Sequence, residues 1–416
     1  MSDGAPVRRR RWRLGAQSPA LVTVFALVLG LVVGALVIIT TTAPVLDAWR
    51  GIFHGWNAPG HALKVTIDHV GAAYRAMFTG SIVDPPIFWH ALTTGHGWTN
   101  ALTPISETLT YATPLTIASV GVGIAFQTGI FNIGANGQAI LGGIGGAYVG
   151  TLIHAPTIIH LPLTLLAGVA GGVIAGSIPG LLKAYTGAHE VIVTLMLNYV
   201  VAAFLLFTLL STALQAPGQS NDIARTMDPS AQLAPLFGAA SGLRVNYGLV
   251  VAALVVIFAW WFLERSSLGF DFRVTGANPQ AARASGINAR AVIILVFAIS
   301  GGLAGLAGVV QLAGFYKTLD VGFLIGNAGI GFTAITVSLL GRNKPVGILL
   351  ASLLFAALGV GGRAMQASTG IPLDLATVIQ SAVVLFVATP VLVKEIFRLR
   401  AAPTTSVQLA TKGWGS

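Results

Sequence analysis

The chain has 416 residues, of which 55% are hydrophobic and only 9% charged, with a mean hydropathy of +0.81 and a formal net charge of +10. A soluble domain carries roughly 25% charged residues, so this composition excludes an ordinary globular fold and predicts an all-α, polytopic membrane protein. The absence of cysteine removes disulfides, thiolate catalysis and cysteine metal sites, and the basic excess lies in loops between apolar runs, where membrane orientation rather than nucleic-acid binding explains it.

Residues 1–20 form a basic N-terminus, with Arg8, Arg9, Arg10, Arg11 and Arg13 ahead of an apolar run at 21–39. The run is long for a signal peptide and no small-residue cleavage site follows it, so it reads as an uncleaved first span. A crossing needs about 20 apolar residues. Further spans are expected at 105–126, 137–153, 161–182, 191–212, 247–263, 291–313, 324–340, 346–365 and 373–393, ten in all, the third and eighth short. An even number places both termini, including the tail 396–416, on one side. Sixteen of the 23 Lys and Arg residues fall on that side and seven on the other, five of them in two long segments, which predicts cytoplasmic termini.

Those long outer segments are 40–104 and 213–246. Within the first, 62–78 reads as an amphipathic helix lying at the membrane surface or against a neighbour. Its histidines (His54, His61, His69, His90, His96) have no repeating spacing, so no metal site and no bound cofactor are expected. Gly168, Gly172, Gly176 and Gly180 recur every fourth residue, and Gly142/Gly146 and Gly301/Gly305 repeat the device, which lets helix backbones approach closely. No GxxxxGK[ST] loop occurs, so ATP is not held in that way by this chain.

Two glycine-broken polar segments interrupt the apolar pattern. One is FNIGANGQ at 131–138; the other, FLIGNAG at 323–329, opens the eighth span. A shift of 192 residues lays Phe131, Ile133, Gly134 and Gly137 on Phe323, Ile325, Gly326 and Gly329, a weak inverted repeat of the kind that marks a solute site. Asn132, Asn136, Gln138 and Asn327 are candidates to hydrogen-bond a neutral solute, and Phe131 and Phe323 to stack on a base or sugar face. Equally, the amides can serve the backbone groups that the breaks set free. Glu107, Glu190, Asp320 and Asp374 fall near span ends and none at mid-depth, which argues against ion-coupled transport.

Residues 264–290 form a polar, basic insert between two apolar runs. Asn278 and Pro279 open a helix, Gln280 to Ser285 continue it for about two turns, and Gly286 closes it in the left-handed conformation. A short helix on the face of a membrane bundle suits a partner's groove.

The segments FNIGANGQ (131–138), HEVIVTLMLNYV (189–200), LGFDFRVTGANPQAARASGI (268–287), VSLLGRNKPVGILLASLLFAAL (337–358) and MQASTGIPLDLATVIQ (365–380) resemble, in this order, the permease subunits of ABC importers of the branched-chain amino acid, ribose and simple-sugar superfamily, most of all the nucleoside-type permeases. The likeness spans 105–395; the long segment before 105 and Asn136, where many relatives carry an acidic residue, depart from it. The resemblance implies a permease for nucleosides or a related neutral sugar-like solute in a bacterial plasma (inner) membrane, with simple sugars, or a stand-alone carrier, as alternatives. It implies a cytoplasmic ABC ATPase that binds ATP-Mg and docks on 265–290, with Arg273, Gly276, Asn278, Pro279, Ala282, Arg283 and Gly286 as coupling residues. It further implies a second permease subunit, either a shorter paralogue or an identical copy, and an extracytoplasmic solute-binding lipoprotein, with membrane lipid around the bundle.

Overall fold

The computed structural model describes residues 19–53, 58–211, 213–218, 221–327, 329–389, 393 and 395–397. The arginines at 8–13, His54 and most of the C-terminal tail lie outside them, as does the side chain of Asn327. In chain order the elements are α1 (Pro19–Thr41), α2 (Ala43–Arg50), α3 (Ala58–Ser81), α4 (Pro85–Thr94), α5 (Trp98–Gln127), α6 (Ala135–Leu152), α7 (Thr157–Thr186), α8 (Glu190–Leu209), β1 (Ile223–Thr226), α9 (Gly248–Arg265), α10 (Ser267–Ala277), α11 (Pro279–Ala284), α12 (Ala289–Gln311), β2 (Thr318–Asp320), α13 (Val321–Asn327), α14 (Ile330–Leu340), α15 (Pro345–Thr369) and α16 (Asp374–Ala388). Among the described residues, seven helices (α1, α5, α7, α8, α9, α12 and α15) are long and apolar enough to cross a membrane; α14 and α16 are shorter apolar helices. Each of the ten expected spans coincides with helix, but the eighth is broken after α13 rather than continuous over 324–340.

The centre of the bundle is built on glycine. Along α7, Gly168 rests on Val309, Gly172 on the Gly301 carbonyl and Gly305, Gly176 on Phe297 and Gly301, and Gly180 on Phe297, all from α12. Gly142 and Gly146 of α6 meet Gly305 and Val309 of the same helix. Backbone therefore touches backbone among α6, α7 and α12, the close packing available where lipid offers no hydrophobic drive between helices. The same glycines lower the hydropathy of α6, which is buried along most of its length and needs no apolar surface for lipid.

α5 runs the height of the bundle. Near its start, Ser106 Oγ accepts from the N–H groups of Arg244 and Val245, both at 3.0 Å, and Thr108 Oγ1 donates to the Ser81 carbonyl at 2.6 Å. At its end, Gln127 Nε2 donates to the Asn343 carbonyl at 2.8 Å. The side carrying α10, α11 and Asn343 is called the α11 side below, and the opposite one the far side.

The described part of segment 40–104 holds α2, α3 and α4, on the rim of α1, α5 and α15, and the first turns of α5 itself. α3 covers the expected 62–78 and extends it, and it packs on α2 and α15. Met77 abuts Gly361, Gly80 meets Ala364, and the Tyr74 hydroxyl donates to the Leu31 carbonyl. Segment 213–246 is a far-side loop whose β1 pairs antiparallel with β2, which follows α12, in the one two-stranded ribbon among the described residues. Asp228 anchors this loop: its Oδ1 accepts from the Ser230 N–H (2.9 Å) and hydroxyl (2.7 Å), and its Oδ2 contacts His154 at 3.0 Å. The buried His160 ring bridges Ser230 Oγ (2.6 Å) and the Val149 carbonyl (3.0 Å), so these histidines serve the loop.

Candidate functional site

The first glycine break is held by amides. Asn132, fully buried, donates from Nδ2 to Gln138 Oε1 (2.9 Å) and Ser300 Oγ (2.8 Å). Its Oδ1 accepts from the Gly134 N–H (3.0 Å) and from Gln138 Nε2 (3.1 Å). Asn198 of α8 clamps the same loop, accepting from the Gly137 N–H at 2.8 Å and donating to the Ile133 carbonyl at 3.1 Å. Asn136 Oδ1 accepts from the Gly331 N–H at 2.7 Å, which ties the start of α6 to the start of α14. These amides hold backbone groups that have no helical partner, as irregular chain at membrane depth requires.

The junction lies deep. Ser300 is about 16 Å along α12 from its α11-side end, and Gly331 about 14 Å along α14 from Leu340, each close to half a hydrocarbon thickness. Two helix starts of opposite sense thus meet near mid-depth, in the positions expected of the inverted repeat.

The two phenylalanines are not brought together. Phe131 is 53% exposed, its ring edge-on to Phe126 with centroids 5.2 Å apart. Phe323 is enclosed between Gly143 and Tyr316, with its N–H donated to Asp320 Oδ1 at 2.8 Å. Beside the junction, Gly326, Gly329 and Phe332 are exposed on the flank of the bundle. The neighbouring α8 also presents a bare face, with Tyr199 and Phe207 more than two-thirds exposed.

The insert 264–290 contains two helices rather than one. Ser266 caps α10 by accepting from the Gly269 N–H (2.9 Å), a start signal that the sequence shows but that the expected helix at 278 overshadowed. Asn278 caps α11, accepting from the N–H groups of Gln280 (3.0 Å) and Ala281 (3.1 Å), with Pro279 in the first turn and Gly286 at φ +81° after it. Pro279, Arg283 and Gly286 are exposed, whereas Ala282 is fully buried and seats the helix. Gly276 presses on the backbone of Gln127 and Thr128, where any side chain would collide, so the insert bears directly on the end of α5. Arg273 lines a cavity with Trp260, Leu263 and Lys344, its Nη1 buried, whereas Arg283 is exposed.

A second polar layer, on the far side, is one the sequence reading missed. α12 widens into a π-helical turn, Leu312–Tyr316, followed by Lys317 at φ +60°. There the Arg244 guanidinium lies 4.6 Å over Phe315, Arg363 lies 4.0 Å over Tyr111, and Glu107 pairs with Arg244 at 3.2 Å. Asn198 and Ser300 were also missed, although Asn198 is the lone amide of an apolar helix, a signal in itself.

Residues 105–388 match the family described as branched-chain amino acid transport system / permease component. The chain is 34% identical to the guanosine ABC transporter permease protein NupP of Bacillus subtilis over 287 residues, which cover 68% of this chain and 80% of that one. It is 32% identical to the nucleoside ABC transporter permease protein NupB of Lactococcus lactis (74% and 85% covered), and 35% identical to the glucose ABC transporter permease protein TsgB13 of Haloferax volcanii (68% and 76% covered). No solved structure matches it. A helical bundle with paired broken segments, a capped surface helix bearing on its central strut, and likeness over two thirds of the length agree: the chain belongs to the branched-chain amino acid transport system permease family, as a multi-pass membrane subunit of an ABC transporter.

Proposed function

We propose that the chain forms half of the translocation pathway of an ATP-driven importer for nucleosides, with a simple sugar as the second reading because a glucose permease stands among its relatives. The α11 side is cytoplasmic in this reading, on the distribution of Lys and Arg. A separate ABC ATPase binds ATP-Mg and seats α11 through Pro279 and Arg283, while Gly276 passes its movement to α5. An extracytoplasmic lipoprotein delivers solute to the far-side loops.

The observation that carries the pathway is the exposed break at Gly326 and Gly329. Interrupted helix at membrane depth is tolerated against protein or water, not against lipid. That flank therefore calls for a second permease, a shorter paralogue or another copy, with an aqueous passage between the two. Phe131 reaches this passage and supplies a stacking face; Asn132, Asn136 and Gln138 hold the loop that presents it; and Asn327 lies at the break itself. Phe323 backs the site from behind.

The experiment is co-purification and uptake in proteoliposomes holding both permeases, the ATPase and the binding protein. Arg283→Glu is expected to lower ATPase retention at least tenfold while the protein stays in the membrane, and wild-type retention would overturn the docking assignment. Phe131→Ala is expected to raise the KM for nucleoside several-fold without changing ATPase retention.

A further inference from the structure

On the α11 side, a cavity of about 640 Å³ opens between the end of α9, α10 and the start of α15, lined by Trp260, Glu264, Arg273 and Lys344 among others. Arg273 Nη1 is buried there with no hydrogen-bond partner among the described residues. A buried nitrogen that loses its water costs free energy unless an acceptor meets it, and at a cation that acceptor is favourably an anion. Glu264, the carboxylate of the cavity, is solvent-exposed and in no ion pair with Arg273 in this structure, and Arg273 and Lys344 outnumber it.

A second cleft, of about 510 Å³, shares Lys344 and Val346 with the first. It runs between α1 and α14–α15, headed by Arg342 and walled by Val24, Leu350 and Leu354. From Lys344 to Leu354 it covers ten residues of α15, about 15 Å, or one leaflet of a hydrocarbon core. The turn that aims these cations is itself unusual: Arg342 and Asn343 both hold left-handed backbone, at φ +56° and +55°, a region sparsely occupied by non-glycine residues.

We propose that these joined clefts are a binding site for one anionic phospholipid of the α11-side leaflet. The phosphate sits between Arg273, Lys344 and Arg342, and an acyl chain lies along Leu350 and Leu354. Trp260 stands at the level where indole rings favour the membrane–water boundary. An acidic side chain of a docked protein would satisfy Arg273 but would leave the apolar cleft unused; a phospholipid fills both with one molecule. Basic pockets between helices are the general form of such sites. Because Arg273 shares α10 with Gly276, the lipid would also brace the segment that bears on α5.

The test is native mass spectrometry of the full-length chain, with whatever subunits accompany it, titrated with palmitoyl-oleoyl phosphatidylglycerol, with phosphatidylcholine of the same chains, and with inorganic phosphate. One tightly retained phosphatidylglycerol is expected, with about fivefold loss of retention for each cation removed in Arg273→Gln and Lys344→Gln. Leu350→Trp, which blocks the apolar cleft and keeps every charge, is expected to lower retention as well. Thermal unfolding midpoints within a degree or two of wild type show that each variant is folded. Equal retention of the two lipids, or phosphatidylglycerol retention unchanged in the Arg273→Gln/Lys344→Gln double variant, overturns the site. So does displacement by millimolar phosphate with Leu350→Trp silent, which makes it a free-anion site. Loss of ATPase binding with unaltered lipid retention assigns the cations to protein docking instead.

Discussion

Asn132 shows what a single amide does at this depth. It serves Gln138, Ser300 and the Gly134 N–H together, and each buried polar group deprived of its partner costs about 1–3 kcal/mol. Asn132→Leu should therefore lower the unfolding midpoint and the yield of assembled transporter, whereas Phe131→Ala beside it should alter transport and leave stability intact. Thermal unfolding in detergent, run alongside uptake, separates the two. Asp228 sets a pH limit on the far-side loop. Its carboxyl is held down to about 2, first by the Ser230 N–H and hydroxyl and then by His154. A group whose pKa is depressed on folding contributes stability that is complete above its unfolded value, near 3.8, and is lost as pH falls through about 2. Unfolding of Asp228→Asn followed from pH 6 to 2 should show a flatter acid limb than wild type; an identical limb would remove Asp228 from this role. The amide-rich break was legible in the sequence because Asn and Gln beside glycine in an apolar run have few other uses. Which partner each amide holds was not legible, since Ser300 lies 168 residues from Asn132 and Asn198 lies 61 from Gly137.

At the scale of helices, the four-residue glycine spacing of α7 gave the contact face correctly but named no partner; the partner is α12, with α6 wedged against both. Gly305 touches Gly142 and the Gly168 and Gly172 backbones, so no neighbour can give way by turning a side chain. Gly305→Leu should force the three helices apart, at a cost above the roughly 1–3 kcal/mol of ordinary overpacking. It should be read as loss of the folded, monodisperse fraction in size-exclusion chromatography. Gly359, whose added methyl group would meet no atom closer than 3.9 Å, is the matched control, and Gly359→Ala should behave as wild type. Local chemistry specified α11 well, from its Asn cap to its glycine stop. It announced the break between α13 and α14 through the cluster Gly326, Asn327 and Gly329, but not that a short helix, α13, precedes it. That α3 packs on α1 and α15 was beyond composition too: a half-polar helix of this length suits a membrane surface equally well.

For the whole molecule, the broken, partly polar flank at Gly326, Gly329 and Phe332 is exposed in the chain, and it is the surface that the proposed second permease would cover. The absence of cysteine makes the prediction direct to test. Phe332→Cys, placed on the flank of α14, should react with a membrane-impermeant thiol reagent in the assembled importer and be shielded when transported solute is present. Failure to label under any condition would mean that α14 faces lipid, and that the passage runs elsewhere.

The length of α5 has a mechanical corollary. One helix of 30 residues touches Gly276 and Asn343 at one end and, at Ser106, grips the backbone of Arg244 and Val245 about 31 Å away. It is a pushrod with both ends pinned. No loop lies between the two ends, so a displacement delivered to its foot passes along helix toward its head, past Pro114, where the backbone lacks an N–H and can bend. It leads to the same loop that Asp228 fastens and the arginine–aromatic layer covers. With the ATPase docked as proposed, opening of the far-side mouth would be timed by the arrival of thrust rather than by the arrival of cargo.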